Sequence, residues 1–164
     1  MFGISSRAPS TCIRETSVSP NELERYLREH IPLSRAMQVS VISVTKDEIV
    51  LGAPLAPNIN HRETVFGGSA SSIAILAAWA LPYTRLRDAG IGCRLVIRRN
   101  SIEYDRPIEG AFTARSYLPK TSDWDRFVRA LANKGKGRIE VAAVLDYAGR
   151  TAAYFNGEFV ALER

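Results

Sequence analysis

Val65-Phe66-Gly67-Gly68-Ser69-Ala70-Ser71-Ser72-Ile73-Ala74-Ile75-Leu76-Ala77-Ala78-Trp79-Ala80-Leu81 decides the architecture of this chain. No charged side chain occurs between Val65 and Thr84. A run of that length raises the question of a membrane span, which needs roughly twenty strongly apolar residues. Here the continuous apolar part is only Ile73 to Leu81, preceded by two glycines and three serines. The segment therefore reads as a buried core helix from Gly68 to about Asp88, kinked near Pro82, with Gly90 just beyond its end. A helix apolar nearly all round must be covered on most of its sides.

The flanking sequence supplies the cover. Ser19-Pro20-Asn21-Glu22 carries an N-cap serine, a proline at the first helical position and a capping-box glutamate. It predicts a helix to about His30, ended by Ile31-Pro32, with a further short turn to Met37. Val39–Val44 and Ile49–Ala53 are rich in β-branched residues around Lys46-Asp47 and predict a hairpin. After the core helix, Leu95–Tyr104, Ala111–Leu118, 138–147 and Thr151–Leu162 read as strands. In the third of these, Ile139, Val141, Ala143, Leu145 and Tyr147 alternate with Arg138, Glu140, Ala142, Val144 and Asp146, the period of a sheet with one buried face. Asp123–Asn133 has helical spacing and closes on Lys134-Gly135. Two strands, a long buried helix, then four strands with a small inserted helix predict an α+β hotdog fold, an antiparallel sheet wrapped around a long central helix.

The 164 residues suffice for one domain with a proper core and are too few for two. Residues 1–18, rich in Ser, Thr and Arg, read as a flexible tail, and 19–164 as the single domain. Cys12 and Cys93 have neither metal-ligand spacing nor a disulfide framework, which fits a reducing cytoplasm. Met1 to Cys12 lacks the basic start and apolar centre of a signal peptide. The net charge of +5 is concentrated at Arg94, Arg98 and Arg99 and at Lys134, Lys136 and Arg138. Such runs suit a solvated surface, an acidic carrier protein or a phosphorylated ligand. No aromatic residues interleave with them, so nucleic acid is the weakest reading. Nothing in the sequence calls for a metal or a resident cofactor.

Ahead of the helix stands a polar loop, Pro57-Asn58-Ile59-Asn60-His61-Arg62-Glu63-Thr64. It delivers Asn58, Asn60 and His61 to a helix N-terminus, where free N–H groups and the positive end of the helix dipole favour developing negative charge. Gly67 and Gly68 allow a tight turn and a close approach of ligand to backbone. Thr64, Phe66, Gly67, Gly68 and Ser69 are the candidate substrate contacts. The bland alternatives are that Ser69 caps the helix and that Asn58 and Asn60 bond locally in turns.

Leu55-Ala56-Pro57-Asn58-Ile59-Asn60-His61, Thr64-Val65-Phe66-Gly67-Gly68-Ser69 and Ile102-Glu103-Tyr104-Asp105-Arg106-Pro107 resemble the thioesterase-like proteins of the YiiD C-terminal type, over residues 20 to 163. The resemblance implies a homodimer, which in turn can pair into a tetramer, with two sites at the subunit interface. It also implies acyl thioesters of coenzyme A or acyl carrier protein as substrates. Some members decarboxylate malonyl-carrier protein through an asparagine of this loop. One departure from the family pattern is Glu63, where a small residue, often glycine, is expected.

Hydrolysis of a thioester needs an activated water and oxyanion donors. Many hotdog thioesterases place a carboxylate about two turns into the central helix, but Ser72–Ala77 holds none. A base would have to come from His61, Glu63, or a partner-subunit residue such as Glu103 or Asp105. Decarboxylation of a malonyl thioester needs donors and no base. The sequence therefore leaves three readings open: a thioesterase, a malonyl-carrier-protein decarboxylase for fatty acid synthesis, and a non-catalytic acyl-CoA-binding module. Asn60, Asn58 and His61 are the candidate catalytic residues.

Overall fold

The computed structural model describes residues 16–163. Most of the expected N-terminal tail, with Cys12, lies outside the described residues. Val18, at the tail's end, is buried against the core.

The first helix, α1 (Pro20–His30), starts as its sequence dictates. The Glu22 amide donates to the Ser19 hydroxyl (3.2 Å), and the Ser19 amide donates to the Glu22 carboxylate (2.9 Å). The Ser19 backbone N–H first, and then the Ser19 side chain, hold the Glu22 carboxyl below its ordinary pKa. A short helix α2 (Pro32–Ala36) leads into the hairpin β1 (Ser40–Val44) and β2 (Glu48–Ala53). The central helix α3 (Gly67–Asp88) follows, then β3 (Cys93–Tyr104), β4 (Phe112–Tyr117), α4 (Asp123–Lys134), β5 (Lys136–Tyr147) and β6 (Arg150–Glu163). The α4 helix ends on Gly135 in the left-handed conformation (φ 64°), which a glycine adopts at little cost.

The six strands form one antiparallel sheet in the order β1-β2-β4-β5-β6-β3. It packs on α3 through all of β2 to β6. Leu76, Ala77 and Ala78 are consecutive and all buried, and the one stripe less well covered, Ile75, Trp79 and Tyr83, is still partly buried. Ile73, Leu76, Leu81 and Leu86 each bury their side chains there, at roughly 1.5–3 kcal/mol apiece. The helix runs on through Pro82 to Asp88. This is the antiparallel sheet and long central helix of a hotdog fold.

The sequence and structure part in two places. Strand β5 alternates cleanly only as far as Val141; Ala142 and Val144, on the outer face, are buried as well. Their registered neighbours are Tyr117 and Asn156 for Ala142, and Arg115 and Tyr154 for Val144, long side chains that shade two short ones. Strand β3 also begins two residues earlier than its apolar run suggests and stands at the sheet edge, paired only with β6.

Candidate active site

A single bridge, Ile59 opposite Val65, closes the polar loop into a small knuckle. Asn60 organises it. Its side-chain oxygen accepts from the Arg62 amide (2.8 Å) and the Thr64 amide (3.2 Å), and its amide nitrogen donates to the Thr64 hydroxyl (3.0 Å). The Asn60 backbone amide also donates to Thr64 O (2.8 Å). This is the local side-chain-to-backbone bonding that asparagine favours in turns. An amide NH2 has two hydrogens, so one hydrogen of Asn60 has no partner among the described residues.

Asn58 has a different task. It is 1% exposed, and its amide nitrogen donates to Met37 O (3.0 Å) and Pro54 O (2.8 Å). Both hydrogens are thereby used, and its side-chain oxygen is buried without a partner. Asn58 ties the loop to the end of α2 and to the strand β2 exit, and has no donor left for an oxyanion.

His61, Arg62 and Glu63 are exposed at the knuckle tip. Among the described residues the His61 side chain makes no hydrogen bond or ion pair. Glu63 has φ 61°, the left-handed region that costs a non-glycine residue about 1–2 kcal/mol. The small residue that the resemblance leads one to expect here, often glycine, would not meet that cost.

The start of α3 corrects the capping expectation. Phe66 is the N-cap, no side chain caps the helix, and Ser69 lies inside the first turn. The first intrahelical bond is Ala70 N to Phe66 O (3.0 Å). The amides of Gly67, Gly68 and Ser69 therefore point outward without helical acceptors, at the positive end of a 22-residue helix. The Phe66 ring lies over Gly68 and is 57% exposed; a Cβ at Gly68 would come within 2.3 Å of it.

Two contacts bring the end of β3 to this helix start. The Tyr104 hydroxyl donates to Gly67 O (2.8 Å), and the Val65 amide donates to Ile108 O (2.8 Å). Between them is a cavity of about 300 Å³ lined by Val65, Gly67, Ala70, Tyr104, Asp105, Arg106, Pro107 and Ile108. The Asp105 and Arg106 amides both donate to Ala152 O (2.9 and 3.1 Å), which fixes the turn that carries them. Asp105 thus lines the cavity of its own chain's helix start. The sequence considered it only as a contribution from a partner. The Tyr-Asp-Arg-Pro motif was the available signal.

The motif segments all converge here, and the comparisons with known proteins bear directly on them. The family described as "Putative thioesterase (yiiD_Cterm)" matches residues 20–163. The chain belongs to this family. Among solved structures, a protein of unknown function from Chlorobaculum tepidum TLS is 28% identical, with a TM-score of 0.84 over 90% of this chain and 99% of that one. The putative thioesterase of Shewanella oneidensis is 27% identical, with a TM-score of 0.75 over 87% and 96%. A thioesterase of Haemophilus influenzae, at 10% identity and a TM-score of 0.72 over 92% and 95%, shares the fold alone. Family membership supports a general acyl-thioester-processing role. Among the described residues there is no cluster of potential metal ligands and no helix long and apolar enough to cross a membrane.

Proposed function

We propose that the protein is an acyl-thioester hydrolase acting on coenzyme A or acyl-carrier-protein thioesters, and that it works as a homodimer. The observation that carries this reading is the uncapped start of α3, opening beside a cavity that also holds Asp105. A thioester carbonyl oxygen set against the amides of Gly67, Gly68 and Ser69, with the spare hydrogen of Asn60 alongside, meets donors already oriented for an oxyanion. One such donor is worth about 3 kcal/mol, a hundredfold or more in rate. Asp105 takes a proton from water as the water oxygen bonds to the carbonyl carbon. Collapse of the tetrahedral oxyanion breaks the C–S bond, and the departing thiolate receives that proton from Asp105. Thr64 fixes Asn60, and Phe66 flanks the entrance.

The dimer is supported by the edge of β3. Twelve residues of strand leave one row of backbone groups unpaired, an arrangement monomers usually blunt. Val96 and Tyr104 are exposed on that edge strand, and Phe66 is exposed next to Gly67, to which Tyr104 bonds.

A second reading, malonyl-carrier-protein decarboxylase, is favoured by the absence of any carboxylate from Ser72 to Ala77 on the helix. There the malonyl carboxyl leaves as carbon dioxide and the enolate is held by the same amides and Asn60, with no base required. Incubation with malonyl- and longer acyl thioesters, followed by mass analysis and free-thiol detection, separates the two. Hydrolysis releases thiol and falls by about 10²–10⁴ in Asp105→Asn; decarboxylation leaves the thioester intact and survives that change. Tight binding with neither product would reduce the protein to a thioester-binding module and refute both reactions.

A further inference from the structure

Helix α3 begins without the two devices that usually hold a helix N-terminus. No side chain caps it, and its first two residues are glycines, which bring the most backbone freedom to the first turn. An oxyanion site works only if its donors are aimed before the charge develops. A group outside the helix therefore has to hold this turn.

Tyr104 meets that need. Its hydroxyl donates to Gly67 O at 2.8 Å. A Cβ built on Gly67 would lie 3.5 Å from the Tyr104 hydroxyl oxygen and 3.6 Å from its Cζ, so the phenol rests at contact distance beside the first helical residue. The ring is carried on a strand, with Tyr104 in register with Ala153 of β6, and the next two amides both donate to Ala152 O (2.9 and 3.1 Å). Tyr104 also lines the cavity at the helix start, where a phenol would ordinarily count as a donor to substrate. A phenol has one hydrogen to donate, and Gly67 O already accepts it.

The peptide that receives this bond is one of those facing the cavity. Gly67 C=O and Gly68 N–H belong to a single planar trans peptide and point from its opposite edges. Fixing the oxygen therefore aims the N–H. Donation to the carbonyl also polarises the peptide and strengthens its N–H as a donor, by about 10–30% in chains of hydrogen bonds. The Gly67 N–H differs: it belongs to the Phe66 peptide, whose oxygen is held from within the helix by Ala70 N (3.0 Å).

We infer that Tyr104 is a positioning residue: through the Gly67 carbonyl it aims and polarises the Gly68 N–H, the donor that meets the thioester oxyanion. The inference rests on the acyl-thioester hydrolase reading above, and adds to it the group that keeps an uncapped, double-glycine helix start ordered.

Tyr104→Phe tests it by keeping the ring and removing only the hydroxyl. Gly67-Gly68 is the only Gly-Gly pair in the chain. Glycine labelled at both carbonyl carbon and nitrogen, incorporated by cell-free synthesis, thus gives one doubly labelled peptide and one carbonyl-to-amide NMR cross-peak. In Tyr104→Phe that peak should move in both its carbonyl and its amide-proton shift. Melting temperature should hold within about 4 °C, since the lost bond is exposed. With acyl-coenzyme A thioesters kcat should fall about tenfold, short of the hundredfold that loss of a whole oxyanion donor brings, and KM should stay within about threefold. An unmoved peak, an unchanged kcat, or a loss confined to KM overturns the positioning role, and hydrolysis by the unaltered protein then leaves the hydrolase reading standing. If the unaltered protein hydrolyses no thioester while the peak still moves in Tyr104→Phe, the hydrolase reading falls and the hold of Tyr104 on the Gly67-Gly68 peptide stands.

Discussion

Replacing Asn58 by alanine separates a structural asparagine from a catalytic one. In the folded protein both of its amide hydrogens are held by backbone carbonyls, Met37 O at 3.0 Å and Pro54 O at 2.8 Å, at a site with 1% exposure. Alanine leaves those two carbonyls without a partner, at about 1–3 kcal/mol each. Against this, the substitution also removes the buried side-chain oxygen that has no partner now, which recovers about 1 kcal/mol. The backbone bonds Asn58 N to Leu55 O and Phe66 N to Asn58 O survive the change. The expected net loss is about 3 kcal/mol, or about 6–12 °C in melting temperature for a chain of this size. Urea denaturation at 25 °C measures the first quantity and a thermal scan the second. Well below the melting point, turnover of an acyl thioester by the folded variant should stay within about threefold, since no donor reaches the carbonyl from this residue. A stability loss under about 1 kcal/mol, or a hundredfold fall in turnover by fully folded protein, would refute the assignment.

Glu63→Gly relieves a left-handed residue at φ 61°, and after the added freedom of the unfolded chain it should be neutral to about 1 kcal/mol stabilising in a urea titration. Unchanged turnover in the same variant would show that the Glu63 carboxylate takes no part in the chemistry. Gly68→Ala pushes a methyl into the space of the Phe66 ring, an exposed neighbour with room to turn toward solvent. Melting temperature should hold, because alanine gains about 1 kcal/mol of helix propensity over glycine, while KM for acyl thioesters rises as Phe66 is displaced; an unchanged KM would remove Phe66 from the substrate path. Glu22 and Glu158 both have lowered pKa values, from the Ser19 bonds and from the Arg98 bond respectively. A lowered carboxyl contributes stability above its unfolded value near 4.5, and that contribution is lost as pH falls through the folded pKa. Glu22→Gln should therefore show a smaller loss of stability than the unaltered protein below about pH 4.5; identical acid-denaturation curves would show that the capping box contributes nothing to that slope.

The parts of this protein legible in its sequence are those fixed by interactions close along the chain. Ser19 to Glu22 declares its helix because the capping box spans three residues, and Val65 to Thr84 declares a buried helix because its lack of charge is visible in one window. The turn at Asn60 was legible for the same reason: Asn60 bonds to Arg62 and Thr64, two and four residues away. What the sequence could not supply depends on distant pairing. Asn58 and Asn60 look alike in a local reading, yet one reaches back to Met37 and is consumed, while the other keeps a free donor. The position of β3 at the edge follows from its pairing with β6, about fifty to seventy residues later, and no local pattern encodes an empty neighbouring slot. In the proposed dimer that open slot is where the second copy pairs, and it ends at Tyr104, whose hydroxyl donates to Gly67 O at the start of α3.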